Sequence, residues 1–173
     1  MTLSWVDGNS DGSKDYWYYD DDFHSSWSYL DYHFDSSSRL TDATILNDDG
    51  SKDHYYYDYT NSSSVSYVDY KSDNWSNYGQ LKGYTIGYDN GSNEVVHYDY
   101  NNTANWNYVD YQHNSSGQLT DYTIGWDNGS KDHIYVDNNN ASWATIDYQY
   151  DSSGHLVDYS ITNDDGSSHT YHL

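Results

Sequence analysis

In "WSYLDYHF", residues 27–34, apolar and polar side chains alternate with a period of two, the signature of a β-strand half-buried on one face. Leu30 is followed two residues later by Tyr32, and the same spacing recurs at Val68 and Tyr70, Val109 and Tyr111, and Ile146 and Tyr148. The pattern predicts these residues as one core-facing column. It places Trp27, Trp106 and Trp143 beside Asp31, Asp69, Asp110 and Asp147 on the opposite face. A second strand type, "LTDYTIG", carries Ile45, Ile86, Ile124 and Ile161 in register, and a third, "SKDHYYYDY", aligns Tyr55 with Val96 and Ile134. Asp-Asp-Gly or Asp-Asn-Gly between the second and third types is a strong hairpin signal, since glycine accepts positive φ. No 3.6-residue period persists, so the chain reads as all-β with antiparallel neighbours.

The strands come in sets. Gly12, Gly50, Gly91, Gly129 and Gly166 mark one phase of a repeat of about 38 residues. A three-residue insertion between Tyr70 and Leu81 lengthens one copy. The pattern predicts a single β-repeat domain over 1–173, with a partial repeat at 4–25 and repeats at 26–63, 64–104, 105–141 and 142–173. Each repeat reads as three antiparallel strands. With an odd number, successive repeats either reverse orientation in one meander or pass through "DYTNSSS" to a second sheet. Propeller blades normally carry four strands. The expected architecture is therefore a tandem stack of three-stranded repeats in an elongated, solenoid-like array, each burying its face against its neighbours.

Composition sharpens this picture. A formal charge of -22 and a mean hydropathy of -1.09 are marks of disorder, but 24 Tyr and seven Trp argue for folding. Tyrosine takes the place that leucine usually holds, which points to thin layers in place of a deep core. Six Lys plus Arg against 28 Asp plus Glu speak against binding nucleic acid phosphates. The absence of cysteine removes disulfides and thiolate chemistry. No apolar run approaches the length of a membrane span, and "MTLSWVDGNS" lacks the features of a signal peptide.

Asp7, Asn9, Asp11, Gly12 and Asp15 sit where an EF-hand loop would place its first ligands, its glycine and its ninth position, which makes Asp7, Asn9, Asp11 and Asp15 a candidate calcium site. Tyr18 stands where the bidentate glutamate would be, and Gly12 is in phase with the other hairpin glycines. A structural turn is thus the default reading. The columns Asp31, Asp69, Asp110, Asp147 and Asp42, Asp121, Asp158 read as a solvated acidic face, or alternatively as a cation ladder. Among nine histidines only His54 and His133 align, and no nucleophile elbow or phosphate loop stands out. The insertion Lys71 to Gly79 is a candidate contact loop. The sequons Asn61-Ser62-Ser63 and Asn74-Trp75-Ser76 are what chance produces in an Asn- and Ser-rich chain.

"YDSSGHLVDYSITNDDGS" at 150–167 and "HNSSGQLTDYTIGWDNGS" at 113–130 resemble the Tyr-Asp repeats of RHS-type proteins and the tandem repeats of large secreted RTX-like bacterial proteins. "KDYWYYDDD" and "YQYDSSGHL" also look like the aromatic repeats of cell-wall-binding and glucan-binding modules. The resemblance implies an exported or surface-associated protein of β-hairpins with a structural or adhesive role. The leading expectation is accordingly a non-catalytic extracellular element that self-associates end to end. A carbohydrate-binding surface of Trp27, Trp106 and Trp143 with Asp31, Asp110 and Asp147 is the alternative for a polysaccharide partner, and a calcium-stabilised segment is a further one.

Overall fold

The computed structural model describes residues 2–20, 25–60, 63–73 and 80–173. The sequon at 61–63 falls partly and the one at 74–76 wholly outside the described residues, as does most of the insertion, residues 74–79. The described chain divides into two compact units, Met1–Asp89 and Asn90–Leu173. The boundary lies in the Asp89-Asn90-Gly91 turn, inside the repeat delimited at 64–104.

The first unit contains β1 (Thr2–Gly8), β2 (Lys14–Tyr19), β3 (Trp27–Phe34), β4 (Leu40–Asn47), β5 (Lys52–Tyr57), β6 (Val65–Ser72) and β7 (Leu81–Tyr88). The second contains β8 (Asn93–Tyr98), β9 (Trp106–His113), β10 (Leu119–Trp126), β11 (Lys131–Val136), β12 (Trp143–Tyr150), β13 (Leu156–Asn163) and β14 (Ser168–His172). Within each unit every strand pairs antiparallel with its sequence neighbours, as a meander. β5 pairs directly with β6 and β11 with β12, so the "DYTNSSS" type of link returns the chain to the same sheet. The fold is all-β, and no helix among the described residues is long and apolar enough to cross a membrane.

The continuous meander has a consequence for side chains. Directly paired residues share a face, and in the first unit one cross-strand row runs Trp17, Asp31, Thr44, His54, Tyr70, Tyr84. The adjacent row, on the other face, runs Tyr16, Tyr32, Ala43, Tyr55, Asp69, Thr85. Asp31 and Asp69 occupy equivalent positions in the sequence yet lie on opposite faces. The same inversion separates Asp110, in the row Val96, Asp110, Thr123, His133, Tyr148, Tyr159, Tyr171, from Asp147, which pairs with Ile134 and Ser160. The column expected as a common core therefore alternates between faces: Leu30 faces away from Val68 and Val109 from Ile146.

Turn chemistry fixes this register. In the hairpins after β1, β4, β10 and β13 the N–H of Gly12, Gly50, Gly129 or Gly166 donates to the carbonyl three residues back, and the following serine carbonyl closes the pair. All four glycines have φ between 82° and 88°, the left-handed residue of a type I turn with a G1 bulge. The Asp or Asn before the glycine accepts from the backbone N–H of the serine after it, at 2.8–3.0 Å for Asp11, Asp49, Asn128 and Asp165. The hairpins after β3, β9 and β12 use the same backbone, with Gly117 and Gly154 at φ 75° and 82° but Ser38 at 63°. The longer links open on an aspartate the sequence pattern did not single out: Asp20 accepts from Ser25 N–H at 2.8 Å, Asp99 from Ala104 N–H at 2.6 Å and Asp137 from Ala141 N–H at 2.7 Å.

Packing is thin on both faces. The apolar residues below a tenth exposed are Leu30, Ala43, Val96 and Ile134, and no large side chain among the described residues is fully enclosed. Tyrosine ladders take over: Tyr148, Tyr159 and Tyr171 stack across β12, β13 and β14 with ring centroids 5.9 and 4.5 Å apart. Such contacts contribute about 0.5–1.5 kcal/mol each beyond the area they bury. Gly87 and Gly125 serve the same packing, for a Cβ at either would lie 2.1 Å from the ring of the paired Tyr67 or Tyr108. Each ring occupies the space that a side chain at the glycine would need.

Candidate functional site: carboxylates set among aromatic rings

The sequence grouped three tryptophans with three aspartates, and the strand registers separate them. Trp27 pairs with Asn47 while Tyr29 pairs with Leu46, so a β-bulge inserts one residue between them. That extra residue turns Trp27 to the face opposite Tyr29 and Asp31. The same bulge between Trp143 and Thr145 sets Trp143 opposite Asp147. A matching irregularity between Gly125 and Trp126 pairs Trp106 with Trp126, opposite Asp110. All three tryptophans are half-buried. The expected combined platform of Trp27, Trp106, Trp143 with Asp31, Asp110, Asp147 is thus not assembled, because simple alternation fails where each strand opens on a bulge.

The aspartates themselves form a different constellation. Each sits opposite a bulky residue of the preceding strand: Asp31 opposite Trp17, Asp69 opposite Tyr55, Asp110 opposite Val96 and Asp147 opposite Ile134. Burial pushes all four carboxyls above their ordinary range, and Asp110, further raised by Glu94, reaches about 6. Hydrogen bonds offset part of the desolvation, from Trp17 and Tyr29 on Asp31, from Lys71 Nζ at 3.1 Å on Asp69, and from Gln112 and Gln149 Nε2 at 3.1 and 3.2 Å on Asp110 and Asp147. Asp69 is only 5% exposed. The expected solvated acidic face is instead a set of partly desolvated carboxylates, and the face inversion within each unit prevents them from stacking as a cation ladder. Asp121 and Asp158 are likewise on opposite faces of their unit.

At the candidate calcium loop, Asp7 pairs with Asp15 across β1 and β2, and the turn between them closes on itself. Asn9 Nδ2 donates to Ser13 Oγ at 2.9 Å and to Asp15 Oδ2 at 3.4 Å, and Asp11 Oδ1 accepts from Ser13 N and Oγ at 3.0 and 2.7 Å. These hydrogen bonds hold the Asp11 carboxyl below its usual range. Asp15 is also bonded to His33 Nδ1, and this raises the His33 pKa. The turn at Asn47 to Asp53 repeats the arrangement, with Asn47 Nδ2 3.0 Å from Ser51 Oγ and 3.4 Å from Asp53 Oδ2. Asn9, Asp11 and Asp15 thus build the same hairpin turn as Asn47, Asp49 and Asp53, with Asp7 paired to Asp15 beside it.

Two arrangements escaped the sequence pattern. Thr44 Oγ1 lies 2.7 Å from His54 Nδ1 and Thr123 Oγ1 lies 2.8 Å from His133 Nδ1, because each pair is directly opposed in register. His133 Nε2 is 3.5 Å from Asp121 Oδ1, close enough for charge attraction but without a hydrogen bond between them. Burial lowers the His54 pKa and favours the neutral imidazole. His54 also lines an open groove of about 720 Å³ with Lys52, Tyr56, Val68, Tyr70 and Ser72. The equivalent groove on β2 and β3, about 340 Å³, is lined by Tyr16, Tyr18, Tyr32 and Phe34 with Lys14, Ser38 and Leu40. The aligned pair His54 and His133 was the only sequence signal for either arrangement.

No protein-family model matches the chain, and no curated protein matches its sequence significantly.

Proposed function

We propose that the chain is a non-catalytic, secreted or cell-surface structural or adhesive element, built as a tandem array of three-stranded β-repeats that self-associates through its sheet edges. The observation that carries this reading is the recurrence of form: strand lengths of eight, eight and six residues repeat at β3, β4, β5, at β6, β7, β8 and at β9, β10, β11. The recurrence extends to the hairpins, which reuse one backbone and one serine-capped turn. Chemistry that is repeated along a chain serves a surface better than a single catalytic centre. The resemblance to Tyr-Asp repeats of secreted bacterial proteins favours the same class.

Self-association draws support from β14. β14 pairs with β13, and all five of its residues are exposed. It carries no lysine, proline or bulge of the kind that protects an edge from pairing. Light scattering and electron microscopy across a concentration series test this. Concentration-dependent assemblies that are lost when a proline replaces Thr170 are expected, and a dispersed monomer at every concentration overturns the assembly.

A further inference from the structure

From the tyrosine geometry we infer that this protein carries three sites for oxidative cross-linking, at Tyr18 with Tyr32, Tyr56 with Tyr70, and Tyr135 with Tyr148, each joining two adjacent strands through a dityrosine bond. The three pairs are built alike. Ring centroids lie 5.9, 6.1 and 6.0 Å apart with interplanar angles of 75°, 80° and 90°. In each the register is diagonal: Tyr18 is directly opposite Leu30, Tyr56 opposite Val68 and Tyr135 opposite Ile146, with the partner tyrosine two residues further on.

That diagonal decides which tyrosines couple. A dityrosine bond joins carbons ortho to the two hydroxyls, and the biaryl geometry splays the two Cβ atoms wider than directly opposed residues stand. Opposed residues have Cβ atoms ~5 Å apart, whereas diagonal neighbours are separated by ~7 Å. Opposed stacked pairs such as Tyr148 with Tyr159 and Tyr159 with Tyr171 are therefore close in space but poorly set for the bond. The edge-on arrangement of the diagonal pairs aims one ring's rim at its partner. Access is open as well, since Tyr56, Tyr70 and Tyr135 are 51%, 41% and 45% exposed. The fourth occurrence supplies an internal control: His97 faces Tyr111 at 6.0 Å and 72°, with an imidazole where the others have a phenol.

The oxidant is a peroxide acting through a haem peroxidase. Each phenol gives up one hydrogen atom to become a phenoxyl radical, the two radicals join ortho carbon to ortho carbon, and each ring re-aromatises as its ortho proton moves to the oxygen. One peroxide takes up the two hydrogen atoms and becomes two waters. The product is a biphenol linking two strands that were held by hydrogen bonds and ring contacts alone. The inference does not depend on the proposed function, because the cross-links form within one chain.

The test treats dilute protein with peroxidase and hydrogen peroxide and reads dityrosine fluorescence, intact mass and peptide maps. The expected result is a monomer that has lost two hydrogens per link, with the three diagonal pairs as the linked peptides. Tyr18→Phe, Tyr56→Phe and Tyr135→Phe should each abolish one link and leave the other two, with far-UV circular dichroism unchanged. Repeating the oxidation in urea should scatter the links. Coupling that maps chiefly to the opposed pairs, only intermolecular links, or the same map in urea would overturn the inference.

Discussion

Asp110→Asn should make the protein more stable at neutral pH and leave it unchanged near pH 4. Asp110 lies between Val96, which is 3% exposed, and Thr123, with Glu94 and Asp121 as diagonal carboxylates and Gln112 as hydrogen-bond donor. Burial, with Glu94 next, raises its pKa from 3.8 to about 6. The folded chain thus holds a proton that the unfolded chain has released, so the contribution of Asp110 is most favourable below pH 4 and falls as pH rises to about 6. A shift of about two units corresponds to ~3 kcal/mol if undamped, and partial solvent access reduces this to ~1 kcal/mol. Asparagine keeps the shape and the acceptor for Gln112 but has no charge to desolvate. Urea unfolding followed by tryptophan fluorescence between pH 4 and 7.5 should show the variant and the parent converging at the acid end and separating by about 1 kcal/mol at pH 7. Asp127→Asn controls for net charge, since it removes the same charge from an exposed turn. A variant no more stable than the parent at pH 7, or an equal gain from the control, would refute the reasoning.

Three further outcomes follow from backbone and packing. Ser38→Gly should raise stability by ~0.5–1 kcal/mol in urea unfolding, because Ser38 holds a φ of 63° where Gly117 and Gly154 stand in the equivalent hairpins. Gly125→Ala should cost ~1–3 kcal/mol, since its Cβ would meet the Tyr108 ring at 2.1 Å; the same change made with Tyr108→Ala should cost less than the sum of the two. Asp99→Ala should cost about 1 kcal/mol through loss of the 2.6 Å bond from Ala104 N–H, with faster amide exchange confined to the link before β9.

Strand type, hairpin positions and antiparallel pairing were legible because period-two patterning and turn glycines are local signals. The side on which each column emerges was not, since it depends on how many strands separate two copies. Leu30 and Val68 look equivalent in sequence, yet three intervening steps of antiparallel pairing bring them to opposite faces. The Trp and Asp platform failed for a related reason. Strict alternation placed Trp27 with Asp31, but a bulge is a tertiary choice with no signature in "WSYLD". The spacing of Asp7, Asn9, Asp11 and Asp15 could not show that Asp11 and Asp15 accept hydrogen bonds from Ser13 and Asn9 within the turn. Asp20, Asp99 and Asp137 were overlooked because in so acidic a chain a capping aspartate looks like any other.

The face inversion also explains why tyrosine replaces leucine. If every copy presented its apolar column to the same side, one face would be greasy and would demand a second layer. Inversion gives each face an apolar column from one copy and an aspartate column from the next, so within a unit neither face is apolar enough to need a covering layer nor polar enough to be bare. A side chain for such a surface must cover its neighbours and still tolerate water, which is what a phenol does and an isobutyl group does not. The partly desolvated aspartates are then the counterpart of the tyrosines. Their charge falls on both faces of a unit, beside the aromatic rings, and the energetic penalty of placing it there is what Asp110→Asn should release.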